Sequence, residues 1–321
     1  MLAPQIEGHE GDPLFELGLA GREYYVTRAD ELREGTGIDI GLWQGGILRL
    51  ARDDEEADEL KGRVGWQRQH GMLCDWLLAD EVQERWPWLA PTEGALGAPR
   101  DGAVDPHATV RALLADAARH GARRVRDRAV GLVRNGNRVT GVRGESDTYQ
   151  AGHVVIAAGA WSGRLEGLPR PLSVEPVRGQ MVAVPWPKDV PPAIVFGGHS
   201  GYVLHRNGEA LIGATMEHVG FDASTTPEAR DELLSNTTAY FPALAKEEVL
   251  RTWAGLRPVT PDGLPIIGRE PRLEGLWYAS GHARNGVLLS GITATIIQQQ
   301  LMGESTIEGL ETLRSDRFWE L

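Results

Sequence analysis

Arg257 has more chemical leverage than any other residue of the chain, because of what surrounds it. It lies in Trp253-Ala254-Gly255-Leu256-Arg257-Pro258, among apolar residues instead of other charges. A guanidinium in such surroundings needs a partner, commonly a carboxylate held through two parallel N–H···O bonds. That carboxylate is either an internal Asp or Glu or a bound ligand, and the neighbouring residues leave both open. A second stretch, Leu276-Trp277-Tyr278-Ala279-Ser280-Gly281-His282-Ala283-Arg284-Asn285-Gly286-Val287-Leu288-Leu289, reads as a buried strand, a glycine-bounded loop and a helix start. Val287, Leu288, Ile292, Ala294, Ile296, Ile297 and Leu301 recur at near-helical spacing, and Gly303 is placed to end the helix. A loop opening into a helix aims backbone N–H groups and the positive end of the dipole at an anion, and Arg284 adds a full charge beside it. The same layout also suits an ordinary strand-to-helix connection with a surface arginine.

Other common chemistries are missing from the sequence. There is no G-x-S-x-G elbow, no H-E-x-x-H and no P-loop. His199, His205 and His218 lie on strand-like segments without metal-ligand spacing, so no metal site is expected. No G-x-G-x-x-G follows a strand: Gly159-Ala160-Trp161-Ser162-Gly163 has the wrong spacing, and Gly197-Gly198-His199-Ser200-Gly201 reads as a loop between strands. Cys74 is the only cysteine, which excludes internal disulfides and fits a reducing compartment. A formal charge of −12 argues against nucleic acid as a partner. The one basic cluster, Arg123-Arg124-Val125-Arg126-Asp127-Arg128, reads as a solvated edge. No apolar run reaches the roughly 18–20 residues of a membrane span, and the start does not resemble a signal peptide. A cytoplasmic protein is expected.

The elements that must position Arg257 and the Gly281 loop fall into two kinds. Asp12-Pro13 is an N-cap and first-turn pair for an apolar stripe ending near Gly35. Gly45–Leu50 alternates as a strand, Asp53–Glu56 heads a helix, and Trp76–Leu78 is a strand before a short helix capped by Asp80. Asp105-Pro106 starts a helix whose buried face is expected from Val110, Leu113, Leu114, Ala117 and Ala118. Asn135-Gly136 predicts a hairpin between Ala129–Val133 and Val139–Val142. Val154–Ala158 is a continuous apolar run, the mark of a strand covered on both faces. From Pro171 to Leu256 short turn-bounded strands with one helix, about residues 227–240, predict an antiparallel sheet. At 321 residues there is room for two domains. The fold class is α/β with an α+β second part: residues 1–40, 101–170 and 258–321 form a nucleotide-type unit, and residues 41–100 and 171–257 an antiparallel-sheet unit.

These residues resemble the flavin-dependent glycine oxidases and related D-amino-acid oxidases. The resemblance rests on Val154–Ser162 (VVIAAGAWS), Pro176–Met181 (PVRGQM), Ile212–Met216 (IGATM), Trp253–Gly263 (WAGLRPVTPDG), Pro265–Gly268 (PIIG) and Gly281–Leu289 (GHARNGVLL), in the family's order and across nearly the whole chain. It implies FAD as cofactor and a small amino acid and dioxygen as partners, with a homo-oligomer possible. Arg257 looks like the clamp on the substrate carboxylate, and Arg284 like a second substrate-side residue in the flavin-facing loop. Tyr202 resembles a pocket tyrosine, and Met216 resembles a residue lining the active site. Phe196 falls near another family tyrosine, where loop length differs. Backbone at His282, Ala283, Arg284, Asn285, Gly286, Val287 and Leu288 would hold the pyrimidine end of the flavin, with Met1, Val130 and Gly159 as further cofactor contacts. The implied reaction is hydride transfer from Cα to the flavin, reoxidation by dioxygen to hydrogen peroxide, and hydrolysis of the imine to keto acid and ammonia. No obligatory catalytic base is implied. A D-amino-acid dehydrogenase passing electrons to another acceptor, or a flavin-free remnant, are the competing readings. A link to thiamine biosynthesis is implied by the same resemblance.

One departure stands out. Family members begin with a strand, G-x-G-x-x-G, a helix and a second strand, which bind the ADP half of FAD. Here the match begins after that unit, at Met1-Leu2-Ala3-Pro4. Roughly 45–50 residues, about one βαβ unit, are missing from the match. The expectation is that Met1 is an internal methionine of a longer protein.

Overall fold

Alternating apolar residues build a broad sheet through the middle of the chain. The computed structural model describes residues 1–197, 201–305, 307 and 309–319. The chain opens with α1 (Pro4–Glu7), α2 (Phe15–Thr36), β1 (Ile47–Ala51), α3 (Asp54–Gln69), β2 (Asp75–Leu78), α4 (Ala79–Arg85), β3 (Gly94–Ala98) and α5 (Pro106–Arg119). A meander of β4 (Ala129–Asn135), β5 (Arg138–Gly144) and β6 (Thr148–Gln150) precedes β7 (Val154–Ile156). Then come β8 (Glu175–Pro185), β9 (Ile194–Phe196), β10 (Tyr202–Arg206), β11 (Glu209–Gly213), α6 (Pro227–Tyr240), β12 (Arg251–Val259), β13 (Ile266–Arg269), β14 (Leu276–Ser280) and α7 (Gly286–Met302).

Eight strands join in the order β12-β8-β11-β10-β9-β1-β3-β2, drawn from residues 47–98 and 175–259. All pair antiparallel except β1 with β9. Period-two alternation sorts their side chains. One face packs Val182, Val203 and Ile212 against Leu233 of α6 and the aromatic group Trp186, Tyr240 and Phe241. The other packs Ala183, Leu204 and Leu211 against α1 and α3 through Ile6, Leu60 and Val64. A second sheet, β13-β14-β7, pairs β14 with β7 in parallel. Against it α2 and α7 share a core of Tyr25, Leu288, Leu289 and Ile296. The two helices approach closely because Gly21 has no side chain: a Cβ there would overlap the Leu288 carbonyl oxygen. α7 ends on Gly303 at φ +71°, the left-handed stop its sequence predicts.

Several expectations need correction. Asp12 does not cap α2. Its carboxylate takes the N–H of Leu14 at 2.8 Å from two residues before, and Leu14 is the N-cap residue. Leu78, not Asp80, precedes the first turn of α4. The buried face of α5 is Ala108, Thr109 and Ala112, while Val110 and Leu114 are exposed. The helix packs on Leu17, Tyr25 and Leu32 of α2 through Ala112, with Leu113 partly buried beside it, so the buried stripe is rotated from the expected face. β7 stops at Ile156 and Val155 is 41% exposed, so the apolar run is covered on one face only. Val155 instead faces an apolar groove of about 560 Å³ that also takes in Ala279, Ala294, Ile297 and Met302. Among the described residues the far edge of β7 pairs with no further strand.

Candidate active site

The odd-numbered residues of β12 place Arg251, Trp253, Gly255 and Arg257 on one face, opposite Ala183, Met181, Gly179 and Val177 of β8. Tyr202 stands opposite Gly213 on the neighbouring pair of strands. Arg251, Trp253 and Met181 of this face, with Tyr202, line a cavity of about 540 Å³ whose wall also includes Met1, Arg206 and Val287, and Arg257 lies further along the same strand face. Gly179 lets the Arg257 side chain lie flat across β8, since a Cβ there would come within 2.5 Å of Nη1, Cζ and Nη2.

Arg257 is partly buried and has no carboxylate partner among the described residues. Its Nη1 donates to the backbone oxygen of Thr215 at 2.8 Å. Burial lowers its pKa, with the charge of Arg284 pushing the same way, but a guanidinium stays charged in any protein setting. An internal Asp or Glu partner is thus ruled out among the described residues. What remains is a cation with most of its N–H donors unspent. Tyr202 sits within its electrostatic reach, and burial raises the phenol pKa, so its O–H is a donor. The Tyr202 ring lies 5.4 Å from that of Phe196, which is buried on β9.

The Gly281 loop is built by two left-handed residues, Gly281 at φ +77° and Ala283 at φ +47°. At Gly281 a Cβ would meet Thr260 at 2.6 Å, so the position requires glycine. His282 is half-buried, with Nε2 2.9 Å from Thr293 Oγ1, and the desolvation of its ring depresses its pKa to about 4. It is therefore a neutral prop for the loop rather than a charge. No side chain caps α7 at Asn285, so the first N–H groups of a 17-residue helix remain open to a ligand. Tyr25 Oη donates to the Val287 carbonyl at 3.0 Å and ties this turn to α2. Gly159, at φ +53°, is brought beside the loop by Ser280, whose Oγ donates to the Gly159 carbonyl at 3.1 Å. Ser162 Oγ in turn donates to Ser280 Oγ at 2.7 Å.

Not every expected residue joins this group. Arg284 projects outward, 57% exposed, and is ion-paired with Glu7. Met216 is 63% exposed and does not line the cavity; on the irregular turn after β11 it points away, while Thr215 and Glu217 turn inward. Val130 lies on the meander, its carbonyl accepting from Glu166 N–H at 3.0 Å, apart from the cavity. His199 lies outside the described residues, as do Gly198 and Ser200. His205 packs edge-on against Trp186 at 5.1 Å. Among the described residues no group of three His, Cys, Asp or Glu could hold a metal, and no helix is long and apolar enough to cross a membrane. Glu7 and Arg206 carry no motif of their own, while Met181, Thr215 and Trp253 lie within the quoted stretches Pro176–Met181, Ile212–Met216 and Trp253–Gly263. Strand alternation does announce Trp253, two residues from Gly255 and four from Arg257.

The family profile described as DAO, FAD dependent oxidoreductase, matches residues 1–300. The chain belongs to this family. It is 36% identical over 301 residues to the glycine oxidase of Geobacillus kaustophilus, covering 92% of this chain and 80% of the relative. It is 32% identical over 324 residues to the bifunctional protein ThiO/ThiG of Trichormus variabilis, covering 99% of this chain and 48% of that protein, about half its length. The crystal structure of glycine oxidase from Geobacillus kaustophilus is similar at a TM-score of 0.94 and 34% identity, covering 99% of this chain and 87% of that one. The mixed α/β architecture is that of the family. The chain is an oxidoreductase and FAD is its cofactor. The residues present fit one end of FAD. The uncapped α7 start, the glycines at 281 and 286 and the open cavity wall suit the pyrimidine edge of the ring system. The ADP end has no matching glycine-rich turn in this sequence.

Proposed function

We propose that the chain oxidises glycine or a small D-amino acid to the imine, which water converts to keto acid and ammonia. FAD, when bound, supplies the acceptor for the Cα hydrogen, and dioxygen restores it with release of hydrogen peroxide. The observation that carries this reading is the unspent guanidinium of Arg257, on the same strand face as the cavity-lining Trp253. A substrate carboxylate gives it the two-pronged partner it lacks. Tyr202 Oη adds a neutral donor from the adjacent strand pair. With the carboxylate held there, Cα is directed toward the α7 loop, where the uncapped N–H groups favour negative charge on a bound acceptor. His282, held neutral, adds no competing cation. Neither a triad nor a metal is needed for chemistry that depends on placing one carbon against one acceptor atom. Names among the relatives support the substrate class: glycine oxidase, and a bifunctional protein carrying a ThiO part, in line with thiamine biosynthesis. The cofactor unit in this reading comprises residues 1–40, 101–170 and 258–321, and the substrate unit residues 41–100 and 171–257.

The test is Arg257→Met with flavin-loaded protein. KM for glycine is expected to rise about 100-fold or more, the worth of two charge-assisted hydrogen bonds, while flavin absorbance is retained. Unchanged kinetics would remove the clamp assignment.

A further inference from the structure

Arg257 is held by a neutral carbonyl, and what holds that carbonyl is a cluster of side chains reaching over from β8. Glu217 lies at its centre. Its carboxylate accepts from Arg178 Nη2 at 2.6 Å and from Gln180 Nε2 at 2.9 Å, and also takes the hydroxyl of Thr215. The backbones of Arg178 and Glu217 bond each other both ways, at 2.9 and 3.0 Å. Thr215 Oγ1 accepts from Gln180 N–H at 2.9 Å, so this threonine is fixed from two sides. Its carbonyl then receives Arg257 Nη1 at 2.8 Å.

The charges in this cluster are spent among themselves. Arg178, 4% exposed, has Glu217 on one nitrogen and Asp222 on the other, the latter at 2.7 Å. Burial opposes the charge on Glu217, yet the bonds from Arg178, Thr215 and Gln180 together outweigh it and keep its pKa below the usual glutamate value. The arrangement solves a definite problem. A carboxylate bonded directly to Arg257 would orient it but would also neutralise it and compete with an incoming carboxylate. A carbonyl orients it at the expense of one N–H and none of the charge.

We infer that Glu217 is a positioning residue for substrate: through Thr215 it sets the direction in which Arg257 presents its guanidinium. This rests on the reading of Arg257 as the carboxylate clamp, and the experiment separates the two. Binding of glycolate, a small monocarboxylate, is measured by calorimetry on the full chain for wild type, Arg257→Met, Glu217→Gln and Thr215→Val, with thermal unfolding of each. Where flavin-loaded protein is used, KM and kcat for glycine are read as well. Glu217→Gln is expected to weaken glycolate about tenfold and raise KM by a similar factor with kcat within twofold, and Thr215→Val to do the same. If Glu217→Gln does not fold, Thr215→Val, which leaves the Arg178–Glu217 pair intact, decides. Glycolate binding lost in Arg257→Met but unchanged in Glu217→Gln and Thr215→Val overturns the positioning role alone. Binding unchanged in Arg257→Met, or absent from wild type, overturns the clamp and this inference with it. A fall in kcat and KM effects that track thermal stability across the variants would mark Glu217 as merely structural and also overturn the inference.

Discussion

Gly179→Ala isolates the geometry of Arg257 without touching its charge. Gly179 sits mid-strand, opposite Gly255 on β12, and its φ lies outside the left-handed region, so alanine fits the backbone. The added methyl would come within 2.5 Å of three atoms of the guanidinium. Carbon contacts settle at about 3.5–4.0 Å, so the guanidinium must move by about 1 Å or more. It is the far end of a flexible side chain, so the strand need not open. Loss of its bond to Thr215 and misalignment of a two-pronged carboxylate contact together cost about 1.5–3 kcal/mol, the worth of one hydrogen bond to a charged group. At about 1.4 kcal/mol per factor of ten, glycolate binding and the KM for glycine should worsen by about 10- to 100-fold. Stability should not fall, because alanine in a strand is about 0.5–1 kcal/mol better than glycine. The assay is calorimetric titration with glycolate beside urea unfolding of the same protein. Full-strength glycolate binding in Gly179→Ala would show that the guanidinium need not lie across β8, and the geometric account of the site would fail.

Two further tests concern the scaffold. Gly21→Ala puts a methyl against the Leu288 carbonyl, a rigid backbone atom, and should cost about 1–3 kcal/mol in urea unfolding; in the proposed reading, where this turn of α7 would meet the ring, it should also loosen flavin binding, and unchanged stability would refute the close helix contact. The buried pair Asp101–Arg22, at 2.7 Å, and His282 should tilt the stability–pH curve in opposite directions. Burial raises Asp101 to about 7, above its unfolded value of about 3.9, so its contribution is fully present below about pH 4 and is lost as pH rises to 7. Burial lowers His282 to about 4, below about 6.5 unfolded, so its contribution of ~3 kcal/mol is present above about pH 6.5 and is lost as pH falls toward 4. His282→Gln should therefore flatten the acid limb, measured as urea midpoints from pH 4 to 8. Asp101→Asn should destabilise by about 3 kcal/mol at pH 8, where a carboxyl of pKa about 7 is mostly ionised and its loss strands the Arg22 charge in the interior, and an unchanged stability there would refute the pairing.

Local patterns were the legible part of the molecule. Arg257 and the Gly281 loop stand out because a charge among apolar residues and a glycine-bounded helix start are visible within ten or so residues. The hairpin at Asn135-Gly136 is legible for the same reason, as are the Asp53 and Asp105 caps, whose side chains accept from Glu56 N–H and from His107 and Ala108 N–H. β3 was missed because Gly94-Ala95-Leu96-Gly97-Ala98 has almost no strand propensity of its own; it is a strand because β1 and β2 pair with it on both sides. The exposed Val155 and the phase of α5 also depend on which neighbours cover them.

The same division runs through the site. Arg257 reaches Thr215 across 42 residues of sequence, and Arg178 reaches Glu217 across 39. No spacing rule connects such positions; the pairing of β12 and β11 on either side of β8 does. A sequence can therefore disclose that a guanidinium lacks a partner, since that is a matter of immediate surroundings. Whether the shortage is real depends on the sheet order, because any acidic residue brought alongside by a different strand order would have satisfied it. Here the strand order brings Gly179 and a carbonyl to Arg257, and gives the nearby acid, Glu217, to Arg178. The binding capacity of Arg257 is thus a property of the topology as much as of the arginine.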